Sequence, residues 1–127
     1  MPGFRESVTT LYDECSRVAE HIIRALAHGM GLQDPEVLVR MSQGDTNHLR
    51  LLHYPAHPAS VFEKGEKERL GVHRDFSALT LLFQDDVGGL QVANPHKDDG
   101  SFVDVPRGDG AVVVSIGIQW QRWRNSK

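Results

Sequence analysis

Leu70-Gly71-Val72-His73-Arg74-Asp75-Phe76-Ser77-Ala78-Leu79-Thr80-Leu81-Leu82-Phe83 sets an imidazole and a carboxylate two residues apart at the head of a hydrophobic run rich in β-formers. Successive side chains on extended backbone alternate between faces, so residues i and i+2 point the same way. His73 and Asp75 can therefore grip one metal ion together. A set of two histidines and one carboxylate on one face of the ion is how proteins commonly hold Fe(II) with positions left open. The pair supplies two of those three donors.

On either side of this stretch the pattern is one of short strands. Residues 79–83 are followed by 90–93 after the Gly88-Gly89 break, by 101–105 before Pro106, and by the β-branched run 111–116. Upstream, 49–54 is an apolar run closed by Pro55, and the polar segment 57–69 reads as an exposed loop. Strands separated by Gly, Pro and Asp turns point to an antiparallel sandwich or barrel. Five or six strands are legible, whereas a jelly roll uses about eight. Missing strands would leave sheet edges open to a partner strand.

The front of the chain reads differently. Phe4, Val8, Leu11, Cys15, Val18, Ile22 and Ala25 recur in steps of three and four, widened by Ala19, Ile23 and Leu26, with Arg5, Glu6, Asp13, Glu14, Arg17, Glu20 and Arg24 opposite. This predicts an amphipathic helix over 4–28 with one buried face, ended by Gly29 and Gly31. Asp34-Pro35-Glu36 predicts a cap and a second, short helix to about residue 41. The expected organisation is a helical lead-in over 1–44 and a partial jelly-roll domain over 45–127, mainly β with a leading α-helix.

Composition narrows the function classes. A net charge of −3 argues against a nucleic-acid partner, which usually meets a basic face. The single Cys15 excludes an internal disulfide and a cysteine-based zinc site. No stretch approaches the roughly 18 consecutive apolar residues of a membrane helix, and the start lacks a secretory layout. A cytoplasmic protein that meets neither nucleic acid nor membrane is expected.

His-x-Asp alone is a weak signal. With seven histidines, roughly half a match is expected by accident, and His96-Lys97-Asp98 also fits. That second pair sits in the hydrophilic run Asn94-Pro95-His96-Lys97-Asp98-Asp99-Gly100, where a solvated turn is the simpler reading. His21 and His28 read as helix-surface residues, and His48, His53 and His57 as loop or rim residues. Tyr54 can point its phenol into a pocket or serve as core with its hydroxyl at the rim.

Longer matches decide among these. Leu49-Arg50-Leu51-Leu52-His53-Tyr54-Pro55, the run Gly71 onward to Asp85, Val87-Gly88-Gly89-Leu90-Gln91-Val92 and Phe102-Val103-Asp104-Val105-Pro106 together closely resemble one family. It is the isopenicillin N synthase-like branch of the iron(II)- and 2-oxoglutarate-dependent oxygenases. The resemblance implies a double-stranded β-helix (jelly roll) with Fe(II) at its mouth. It implies O2 and 2-oxoglutarate as co-substrates, converted to CO2 and succinate while a C–H bond of a small-molecule substrate is oxidised. By matching positions, His73 and Asp75 look like iron ligands and Tyr54 like the tyrosine that hydrogen-bonds 2-oxoglutarate. Phe76 and Leu82 would help keep the site dry.

The pattern departs at its end. Ser115 stands where the family usually has asparagine, and Gly117 is followed by Ile118-Gln119-Trp120-Gln121-Arg122-Trp123 in place of Gly-Asp and an apolar pair. The distal iron-binding histidine and the Arg-x-Ser clamp of such enzymes have no counterpart, and Arg122 and Arg124 do not match the clamp. The expectation is a fragment of such a dioxygenase. The alternative is a catalytically dead remnant serving as a binding or regulatory module.

Overall fold

The computed structural model describes residues 2–43, 47–65 and 68–123. The expected domain boundary at residue 44, the loop residues Glu66 and Lys67, and Arg124 lie outside the described residues.

Helix α1 spans Phe4–Gly29, and its end is specified by backbone chemistry. Gly31 takes φ +71°, and its N–H donates to the His28 carbonyl at 2.9 Å while that of Leu32 reaches the Ala27 carbonyl at 3.2 Å. These paired bonds satisfy carbonyls that a helix end otherwise leaves bare, in a conformation that glycine adopts without a Cβ penalty. The chain reverses into α2, Glu36–Ser42. As expected, Asp34 caps it: its Oδ1 accepts the Glu36 N–H at 3.0 Å. Arg24 ties the two helices, its Nε donating to Glu36 Oε1 at 2.6 Å and its Nη2 to Glu20 at 3.2 Å.

Two antiparallel strand pairs follow. Strands β1 (Leu79–Leu82) and β4 (Val113–Ile116) pair in the register Leu79 with Ile116, Thr80 with Ser115, Leu81 with Val114 and Leu82 with Val113. Strands β2 (Gln91–Ala93) and β3 (Phe102–Asp104) form a hairpin extended by bonds from Asn94 N–H to the Ser101 carbonyl and from Val105 N–H to the Leu90 carbonyl, each 2.9 Å. Between α2 and β1 lies α3, Ala59–Glu63. After β4 comes α4, Ile118–Trp123.

The core joins the front of the chain to its end. Ile23 and Ala27 of α1, Leu38 and Val39 of α2 and Trp120 of α4 are buried together, with Leu26, Met30, Leu32, Val37, Ala78 and Trp123 packed around them. Trp120 is only 4% exposed and stacks edge-on against Trp123 at 5.4 Å between ring centres. No helix among the described residues is long and apolar enough to cross a membrane.

Several expectations are corrected. Residues 49–54 join no strand pair, and Leu51 and Leu52 are exposed. An apolar run becomes a strand only where a neighbouring strand supplies hydrogen bonds, and none of the described strands pairs with it. The expected loop 57–69 contains α3, which Pro58 leads in. The composition is less β-rich than expected, because each strand has three or four residues while α1 alone has 26. The face of α1 is buried at its C-terminal end only, with Phe4, Leu11 and Val18 exposed.

Candidate metal centre

The segment that carries His73 and Asp75 is held by β4 and the turn into α4. The Gly117 N–H donates to the Ala78 carbonyl at 3.2 Å and the Ile118 N–H to the Asp75 carbonyl at 2.8 Å, continuing the β1–β4 pairing backwards. This close approach requires glycine. A Cβ on Gly117 would lie 1.8 Å from the Ser77 carbonyl oxygen and 2.8 Å from that of Asp75.

On this frame the two side chains converge, with His73 Nε2 3.4 Å from Asp75 Oδ1. The imidazole is oriented from behind, since its Nδ1 meets the Gly71 carbonyl at 2.9 Å and a carbonyl only accepts. In the neutral ring, Nδ1–H is thereby the donor and Nε2 carries a bare lone pair toward a carboxylate oxygen. Either a proton on Nε2, which makes the pair a salt bridge, or a metal cation between the two atoms satisfies both. A neutral nitrogen beside a hard carboxylate oxygen is a donor set that suits Fe(II).

Asp75 is the better enclosed of the two. Its Oδ2 accepts a hydrogen bond from the Ser115 hydroxyl at 2.7 Å, reached across 40 positions of sequence. That bond, with help from the Thr80 hydroxyl and His73, holds the Asp75 carboxyl below the usual carboxylate range against the opposing effect of burial. Thr80 is the cross-strand partner of Ser115 and shares a hydrogen bond of 2.9 Å with Ser77. In the sequence Ser115 stands out only as a departure from the family pattern, because nothing local to residue 115 announces a carboxylate 40 residues away.

Other expected residues fall elsewhere. Tyr54 lines a hollow of about 170 Å³ with Pro55, His57, Phe62, Glu68 and Arg69, which shares no lining residue with the His73–Asp75 pair. Arg69 lies over the Phe62 ring at 5.3 Å. His96 and Asp98 lie in the β2–β3 turn, stapled by Asn94 Oδ1 on the His96 N–H at 3.0 Å. Phe76 is 84% exposed and does not cover the pair, which corrects its expected role as a shield; Leu82 is half-buried. Among the described residues no three His, Cys, Asp or Glu gather as a metal cage, so the centre offers two protein donors there.

Comparison with known proteins places the chain in a family. Residues 45–127 match the model of the 2OG-Fe(II) oxygenase superfamily. The chain belongs to that superfamily, whose members use Fe(II) and 2-oxoglutarate. It is 41% identical over its whole length to the 2-oxoglutarate-dependent dioxygenase htyE of Aspergillus rugulosus, of which it covers 38%. It is likewise 41% identical to the 2-oxoglutarate-Fe(II) type oxidoreductase ppzD of Metarhizium majus, covering 36% of that protein. The crystal structure of a full-length Neurospora crassa protein in complex with alpha-KG superposes with a TM-score of 0.82 at 38% identity, over 98% of this chain and 40% of that one. The chain thus spans little more than a third of the length of the curated relatives it matches.

Proposed function

We propose that this chain is the metal-bearing part of an Fe(II)- and 2-oxoglutarate-dependent dioxygenase that oxidises a C–H bond of a small-molecule substrate. The observation that carries the proposal is the 3.4 Å approach of His73 Nε2 to Asp75 Oδ1, with the imidazole aimed by Gly71 and the carboxylate by Ser115. In this reading His73 and Asp75 hold Fe(II), and Tyr54 hydrogen-bonds 2-oxoglutarate. Bound iron and 2-oxoglutarate supply the oxidising chemistry: O2 is consumed, and CO2 and succinate are released as the C–H bond is oxidised. The chain's own residues orient the donors and keep the carboxylate ionised.

Residues 1–44 serve as a helical lead-in and 45–127 as part of a double-stranded β-helix. Two-stranded sheets with Val114, Ile116, Val92 and Val103 exposed suit such a part, whose further strands would pair along the open edges. The superfamily match over 45–127 and the likeness to the alpha-KG complex, alpha-KG being 2-oxoglutarate, support this reading.

The test is binding of Mn(II), a redox-silent stand-in for Fe(II), followed by electron paramagnetic resonance. The purified protein should take up one ion, and His73→Ala and Asp75→Ala should each abolish uptake. Uptake that survives both substitutions would refute the assignment. A Tyr54→Phe variant should bind Mn(II) normally and bind 2-oxoglutarate more weakly.

A further inference from the structure

We infer that Ser115 is a positioning residue of the metal centre: its hydroxyl, delivered by β4, fixes one oxygen of Asp75 so that the other faces His73. This inference rests on the metal assignment above and extends it to a residue that makes no contact with the metal.

The geometry divides the labour between the two carboxylate oxygens. Oδ2 accepts the Ser115 hydroxyl at 2.7 Å, while Oδ1 stands 3.4 Å from His73 Nε2. A carboxylate held at one oxygen loses most of its freedom to rotate about χ2, a broad and soft torsion in aspartate. The remaining oxygen then keeps a set direction before any ion arrives. The backbone of Asp75 is fixed from the same side, its carbonyl accepting the Ile118 N–H at 2.8 Å, so β4 and its exit turn hold both ends of the residue.

Strand register explains why position 115 can do this. Ser115 faces Thr80 across the β1–β4 pair, and cross-strand partners project from the same face of a sheet. Two hydroxyls therefore rise on the side where the chain of β1 turns back to Asp75. On β4, Val113 and Ser115 are the half-buried positions, whereas Val114 and Ile116 are exposed, so the hydroxyl is on the sheltered face. A shorter side chain could not reach the carboxylate, and an aliphatic one would leave Oδ2 without its donor. Groups that orient a metal ligand from behind typically alter metal affinity about 10- to 100-fold when removed.

Co(II) titration followed by the visible ligand-field spectrum reads the effect without turnover. Ser115→Ala should weaken Co(II) binding about tenfold and alter the spectrum, while thermal melting of the metal-free protein stays close to wild type. Ser115→Thr, which keeps a hydroxyl on a β-favouring side chain, should restore both affinity and spectrum. Ser115→Val, equal in shape to threonine but without the hydroxyl, should behave as Ser115→Ala does; it also serves if the alanine variant folds poorly. Wild-type affinity and spectrum in the Ala or Val variant, with His73→Ala having lost Co(II), would overturn the role of Ser115 and leave the metal assignment standing. If His73→Ala binds Co(II) as tightly as wild type, the metal assignment falls and this inference falls with it.

Discussion

Gly117 and Ser77 meet backbone to backbone: a Cβ on the glycine would stand 1.8 Å from the serine's carbonyl oxygen. No side-chain adjustment relieves that overlap, because the obstructing atom belongs to the main chain. The contact is what allows the turn after β4 to bond Asp75 and Ala78.

Gly117→Ala should accordingly push residues 75–77 away from β4. Overpacking of this kind typically costs about 1–3 kcal/mol, and here it also displaces a proposed metal ligand. Chemical denaturation should show the loss of stability, and Mn(II) titration should show weaker binding in the fraction that remains folded. A variant with wild-type stability and affinity would mean that the approach is looser in solution.

Trp120 anchors the end of the chain in the core of α1 and α2. Trp120→Ala should destabilise by about 3–5 kcal/mol, the usual cost of removing a large buried aromatic. Trp120→Phe should cost far less. The indole Nε1 is buried with no hydrogen-bond partner among the described residues, so phenylalanine removes an unsatisfied donor along with some volume. Equal losses in the two variants would show that the indole itself, rather than the volume it fills, carries the contribution.

Asp34 gives a pH dependence with a defined sign. The Arg40 guanidinium, followed by the Glu36 N–H, holds its carboxyl below the ordinary carboxylate range, although burial opposes this. A group with a depressed folded-state pKa contributes stability above its unfolded-state pKa and loses it as pH falls through the folded-state value. Asp34→Ala should therefore lower the melting temperature modestly at neutral pH. The gap from wild type should narrow as the carboxylate protonates in acid. A gap independent of pH would assign the effect to something other than charge.

The Arg24–Glu36 bridge between α1 and α2 is partly solvated at both ends. Glu36→Gln should lower the melting temperature only slightly, and molar salt should erase most of the difference by screening. A large, salt-insensitive drop would contradict that view.

The elements most legible in the sequence were those whose cause is local. The long amphipathic period with Gly29 and Gly31 announced α1, and Asp34-Pro35 announced α2. The hydrophobic run 79–83 announced β1, and the β-branched run 111–116 announced β4. Residues 49–54 misled because an apolar run says nothing about whether a partner strand lies alongside. Helix α3, only five residues long, is too short to display a period. At the site, the spacing of His73 and Asp75 told that they share a direction, but the support behind them did not show. The hydroxyl of Ser115 matters through the β1–β4 register, and that is a property of the pairing rather than of either strand alone. Trp120 was visible as an oddity of composition, yet its burial depends on helices far earlier in the chain.

That burial has a practical side. The protein has two tryptophans, and both lie on α4, which starts at the residue whose N–H grips the Asp75 carbonyl. Trp120 is enclosed by apolar side chains. Intrinsic emission should therefore be shifted to the blue, and it comes from one short helix next to the proposed metal centre. A paramagnetic ion seated between His73 and Asp75 should quench that light. If the proposed site takes up its ion, the protein carries its own optical gauge of occupancy, readable without any label.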